Sequence, residues 1–143
     1  MNIAIIYATF TGHSRKIANA LAKELQVKAE NVKNQPKLNN IDILFIVSGI
    51  YGGQTLPVLI DYVKTIDFKM VRKVALITSC ASKNTKQTII RETLENNQIK
   101  VLTNEFICQG NFLFFGLGHP NKTDIKNAIS FTKEVIEDNK DKI

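Results

Sequence analysis

The chain has 143 residues, is 44% hydrophobic and carries a formal net charge of +6. That length can bury a core without disulfides or metals, so one domain over residues 1–143 is expected. Two cysteines with no CxxC spacing, Cys80 and Cys108, exclude a disulfide framework and a zinc site, and a reducing cytoplasm is the expected compartment. Scattered lysines without interleaved aromatics read as a solvated basic surface or a face for acidic partners, and not as a nucleic-acid site.

Taken in chain order, Ile3 to Tyr7 reads as a buried, isoleucine-rich first strand. The run through Ala8 has no basic flank and stops at Thr9, so it is expected to be a strand and not a leader. No stretch approaches the roughly 20 apolar residues that span a bilayer. Ser14 is placed to cap a helix whose apolar face is Ile17, Ala18, Leu21, Ala22 and Leu25. A weak strand is expected over 26–32 and a loop over 33–40. Ile41 to Val47 is continuous and apolar, as a central strand covered on both faces would be.

Pro57 suits the first turn of a helix carrying Leu59, Tyr62, Val63 and Ile66 on one face. Val74 to Thr78 is the fourth strand. Asn84 or Thr85 is placed to cap a helix with Ile89, Ile90 and Leu94 inward, and Val101 to Cys108 is a fifth strand that could continue through Phe112 to Phe115. The last helix starts near Asn121, where Asp124 completes a cap. Five strands alternating with helices predict an α/β fold with a doubly wound parallel sheet and helices on both faces. Ligands in such sheets sit beyond the carboxyl ends of the strands, where the strand order reverses. The loops to search are therefore 9–14, 48–54 and 79–84.

The first loop, Thr9-Phe10-Thr11-Gly12-His13-Ser14, joins a buried strand to a helix N-terminus. Backbone N–H groups and the helix dipole favour an anion there, and three hydroxyls could donate to phosphate oxygens. Gly12 permits a close backbone approach, and His13 is a helper. Equally, the segment could be a Ser/Thr-rich turn with Ser14 as a plain N-cap. Cys108 reads as a small buried hydrophobe, and His119 before Pro120 as part of a turn.

The Thr-x-Thr-Gly-x-Ser pattern directly after the first strand resembles the phosphate loop of flavodoxins, which bind flavin mononucleotide (FMN). The second loop, Ser48-Gly49-Ile50-Tyr51-Gly52-Gly53-Gln54, is similar to the family's middle flavin loop, with Tyr51 and Gly52 at its large-residue-then-glycine positions. The likeness runs over essentially the whole chain and is to the short-chain type, with the implied strand order 2-1-3-4-5. It implies that Tyr51 stacks on the flavin and that the Gly52–Gly53 peptide turns its carbonyl toward flavin N5 once that atom is protonated. Gln54 stands where family members often carry an acid near flavin N3.

The third loop, Ser79-Cys80-Ala81-Ser82-Lys83-Asn84, departs from the family pattern, having neither an aromatic nor an acid. Ser79, Cys80 and Ala81 could still meet the flavin's pyrimidine edge through backbone N–H groups. The bare outer face leaves room for a substrate. Three roles follow from the resemblance: electron transfer to a redox partner protein by a monomer, direct reduction of a small substrate, or service as the dedicated reductant of one enzyme, as in activators of ribonucleotide reductase. A flavin-free interaction domain is a fourth. The missing carboxylates at Ala8-Thr9 and Val47-Ser48 exclude a response-regulator receiver, and Lys86 and Phe114 at the spacing where arginine is required exclude a tyrosine-phosphatase loop.

Overall fold

Alternating apolar runs and helical periodicity lay out the chain as a βα series. A computed structural model describes residues 1–80, 86–109, 118 and 120–142. Its elements are β1 (Ile3–Ala8), α1 (His13–Leu25), β2 (Ala29–Asn31), β3 (Ile41–Tyr51), β4 (Gln54–Thr55), α2 (Pro57–Val63), β5 (Val71–Cys80), α3 (Thr88–Asn96), β6 (Lys100–Val101), β7 (Phe106–Gln109) and α4 (Lys122–Asn139). The sheet runs β2-β1-β3-β5-β6, all parallel, with β7 also parallel to β5 and the short β4 antiparallel to the end of β3. The expected order 2-1-3-4-5 is therefore met, with β5 in the fourth position and β6 and β7 sharing the fifth.

Side chains alternate across the sheet and so build two cores. Ile5, Phe45 and Ile77 face α1 and α4, where Ile17, Leu21, Ala128 and Val135 cover them. Ile6, Leu44, Ile46 and Leu76 face the other way, onto Leu59 and Val63 of α2 and Ile90 and Leu94 of α3. The helix after β7 starts as the sequence predicts. Asn121 Oδ1 accepts from the Asp124 N–H at 2.9 Å and Asp124 Oδ2 accepts from the Asn121 N–H at 2.8 Å, a complete capping box.

Four expectations are corrected. The second strand is only three residues long, because Gln26 takes a left-handed φ of 56° as the C-cap of α1 and cannot extend a strand. The third strand runs on to Tyr51, past the serine and glycine read as its end. The helix after β5 starts at Thr88 with Gln87 as N-cap; Asn84 and Thr85 lie outside the described residues, as do Phe112 to Phe115 and His119. The fifth strand is interrupted between Leu102 and Glu105. Arg91 of α3 holds that break. Its Nη2 donates to the Leu102 carbonyl at 2.8 Å and lies 3.2 Å from Glu105 Oε2, and its Nη1 reaches the Val101 carbonyl at 3.4 Å. The Glu105 side chain is only 4% exposed, so this is a buried ion pair tying α3 to the sheet edge.

Cys108, on β7, is buried as expected. Its thiol is pushed up to about 12, first by desolvation and then by the charges of Asp124 and Cys80. The folded thiol keeps its proton to higher pH than the unfolded one. Its contribution to stability is therefore complete below pH 9.0 and is lost as pH climbs toward 12. The folded Cys80→Ala variant should resist iodoacetamide at pH 8, because the reactive thiolate is scarce there. Mass spectrometry should show one carbamidomethyl group only after unfolding; stoichiometric labelling of the folded chain would contradict the assignment.

Candidate functional site

Chain order reverses between β1 and β3. From β1 the chain steps outward to β2, and from β3 it steps the other way to β5. That reversal opens a crevice at the carboxyl ends of the two strands. Ala8, Ser48 and Thr78 lie in one register row, so the segments that follow β1, β3 and β5 leave the sheet side by side.

The loop 9–12 is folded by its own side chains. Thr9 Oγ1 accepts from the Gly12 N–H at 2.8 Å, and Gly12, at φ 88°, is the N-cap of α1. Only glycine takes that left-handed cap without strain. Thr11 Oγ1 and His13 Nδ1 are 3.1 Å apart. The plain-cap reading of Ser14 does not hold: α1 begins one residue before it and has no side-chain cap. Ser14 is instead fully buried, and its Oγ has no hydrogen-bond partner. A buried hydroxyl left unpaired costs about 1–3 kcal/mol. An anion at this helix N-terminus would satisfy it, together with the first-turn N–H groups.

The second loop is a hairpin. Tyr51 pairs with Gln54 and Ile50 with Thr55, leaving Gly52 and Gly53 as a two-residue turn at φ 58° and 78°. Positive φ at both positions matches the turn whose twist suits a hairpin, and Gly-Gly meets it. Tyr51 folds back over Gly49: a Cβ on Gly49 would stand 2.5 Å from the Tyr51 ring and hydroxyl. The Tyr51 hydroxyl accepts from the Phe10 N–H at 3.1 Å, and the two rings meet edge to face at 5.7 Å. Phe10 is 73% exposed, so this aromatic pair stands at the crevice mouth.

Of the third loop, Ser79 and Cys80 are buried at the end of β5, level with Gly49 and Ile50. Ala81, Ser82 and Lys83 lie outside the described residues. The structure thus brings Thr9–Ser14 against Ser48–Gln54, with Ser79 and Cys80 on the adjoining strand. The sequence reading missed the role of Gly49 as the seat of Tyr51 and the unpaired Ser14 hydroxyl. A glycine two residues before an aromatic on one strand was the available signal for the first.

Sheet, switch-point crevice and hydroxyl-rich helix entry define a doubly wound α/β protein with its functional loops at the strand carboxyl ends. The chain belongs to the flavodoxin domain family, whose model matches residues 4–136. An uncharacterized protein of Methanocaldococcus jannaschii is 31% identical to it, with 87% of this chain and 91% of that protein covered. Among solved structures, oxidised Flavodoxin 2 from Bacillus cereus superposes with a TM-score of 0.71 at 18% identity, over 96% of this chain and 99% of that one. The NAD(P)H:quinone oxidoreductase from Methanothermobacter marburgensis gives 0.63 at 12% identity, over 94% and 98%. Both likenesses are of fold. Family membership supports a flavin-binding role in electron transfer or oxidoreduction. Among the described residues no helix is long and apolar enough to cross a membrane.

Proposed function

We propose that the chain binds FMN in this crevice and, as a cytoplasmic monomer, carries electrons to a partner oxidoreductase. The observation that carries the reading is the buried, unpartnered Ser14 hydroxyl in the first turn of α1. Thr9, Thr11, Ser14 and the amides of Thr11 and His13 would hold the phosphate, the Phe10 and Gly12 amides being taken by Tyr51 and Thr9. Tyr51, seated on Gly49 and flanked by Phe10, would supply the aromatic wall; such contacts add about 1 kcal/mol. Ser48, Ile50 and the Gly52-Gly53-Gln54 turn would line one edge of the ring system, and Ser79 and Cys80 the pyrimidine edge. The flavin, when bound, supplies the one- and two-electron chemistry, and the chain's residues bind and orient it and set the charge around it.

That charge is unusual for the family the sequence resembles. Gln54 replaces a common acid, and the net charge is +6. Positive surroundings favour added electrons, so the second reduction should be less negative than in acidic short-chain relatives, and docking to acidic partners should weaken with salt. Reconstitution with FMN followed by redox titration tests the reading. Transfer to an acceptor protein, set against NAD(P)H oxidation by the protein alone, separates a carrier from a stand-alone reductase. A purified chain that takes up no FMN would overturn both.

The hairpin turn gives a sharper expectation. Gly52→Val and Gly53→Val each force a side chain into positive φ, at about 1–2 kcal/mol. If the turn peptide rotates to meet the reduced ring, at least one variant should lower the first-electron potential by about 50–80 mV. Unchanged potentials in both would remove the turn from redox tuning.

A further inference from the structure

The β3–β4 hairpin is two residue pairs long, Ile50 with Thr55 and Tyr51 with Gln54, around the Gly52-Gly53 turn. A two-stranded ribbon that short does not hold itself in water. Its far side is not packed flat on the helices either. A cleft of about 560 Å³ lies between Gly53, Gln54 and Thr55 on one side and Ile60 of α2 and Ile89 of α3 on the other. Side-chain hydrogen bonds fasten it instead. In front, the Tyr51 hydroxyl accepts from the Phe10 N–H; behind, Thr55 Oγ1 donates to Gln87 Oε1 at 2.8 Å.

Gln87 is a fixed point. It is 3% exposed, and its carbonyl accepts the Arg91 N–H at 3.0 Å in the first turn of α3. Its side chain makes no cap bond, and its Nε2 is buried with no acceptor. Among the described residues that side chain bonds only Thr55. Burying an unpaired amide donor lowers stability. Methionine would fill a similar space without that cost, so stability does not account for the glutamine. What the glutamine supplies is an acceptor for the hairpin.

We propose that Thr55 and Gln87 are positioning residues for the glycine turn: their hydrogen bond fixes the base of the hairpin, and with it the frame within which the Gly52–Gly53 peptide meets a reduced flavin. The inference rests on the flavin reading above. A contact that the turn makes only with the reduced ring requires the turn to be ordered, and a fixed frame lessens that entropy cost. Loosening the frame penalises the reduced form more than the oxidised one, so the first-electron potential falls. Neither side chain needs to touch the ring.

Thr55→Val and Gln87→Met each remove the bond while keeping the shape, and Thr55→Ser keeps the hydroxyl. In the flavin-free chain, amide hydrogen exchange at Tyr51 and Gln54, read by NMR, should quicken about fivefold or more in both removals and stay near wild type in Thr55→Ser. In the FMN-loaded chain, a dithionite titration should place the first-electron potential about 59 mV lower in either removal, a tenfold change for one electron, with affinity for oxidised FMN within about threefold of wild type. Thr55→Ser should keep the wild-type potential. The double variant Thr55→Val, Gln87→Met should shift no further than either single one, since all three lose the same bond. An unmoved potential, shifts that add in the double variant, or a loss of FMN affinity in place of the shift would overturn the role. Unchanged exchange at the hairpin would overturn the tether itself, and that measurement needs no FMN. A chain that takes up no FMN would sink the flavin reading and this role with it, whereas normal uptake with an unmoved potential sinks this role alone.

Discussion

FMN is expected to bind about a hundredfold or more tightly than riboflavin, and Ser14→Ala is expected to remove much of that margin. Hydrogen bonds to a charged group are worth about 1.5–3 kcal/mol each, and a hundredfold is about 2.7 kcal/mol. The same substitution should leave the flavin-free chain as stable as before or more so, because the wild-type Oγ is buried with no partner. Opposite effects on the two forms are the signature of a hydroxyl kept for a ligand. Thr11→Ala, at an exposed position, should weaken FMN by about 1–3 kcal/mol with little effect on the free chain. Thr9→Ala should damage both forms, since Thr9 Oγ1 holds the Gly12 N–H. Fluorescence-quenching titrations and urea melts with and without FMN read both quantities. Equal affinities for FMN and riboflavin would sink the phosphate site, and a Ser14→Ala chain that is destabilised without ligand would make the serine structural.

Arg91→Met should cost about 3–5 kcal/mol of folding stability, the usual penalty for stranding a buried charge. Glu105 would lose its cation while only 4% exposed, and the Leu102 carbonyl would lose its donor. The double variant Arg91→Met, Glu105→Met should recover most of the loss, because Glu105 Oε1 already lacks a partner and the pair is only half satisfied. Urea midpoints at pH 7 measure all three chains. A double variant no more stable than the single one would show that the break in the fifth strand is held by the packing of α3 and not by the ion pair.

The sequence is legible where local signals agree and silent where a distant partner decides. β1, β3, β5 and the face of α1 follow from apolar runs and helical spacing, the start of α4 from its cap at Asn121 and Asp124, and strand order followed from the resemblance. The start of α1 did not. Ser14 has the chemistry of an N-cap, but Thr9 folds the loop first and gives the cap to Gly12. The end of β3 was misread for a related reason. Ser48 and Gly49 interrupt an apolar run, and pairing with Thr78 and Ser79 of β5, followed by that of Tyr51 with Gln54, carries the strand through them. The split of the fifth strand depends on Arg91 meeting Glu105 across the start of the sheet edge, a contact no window of sequence contains. The crevice residues were found because they cluster in loops.

The phenol of Tyr51 bridges two loops 41 residues apart, and it can do so only because position 49 carries no side chain. Glycine and tyrosine are therefore a single inherited trait spread over two codons. In a lineage where residue 49 gains even a methyl group, the ring at 51 must leave its seat, and the tether to Phe10 goes with it. Among relatives that keep the aromatic ring at 51 the glycine at 49 should accordingly be kept as well, and residue 49 should be free to gain a side chain only where the ring at 51 has gone.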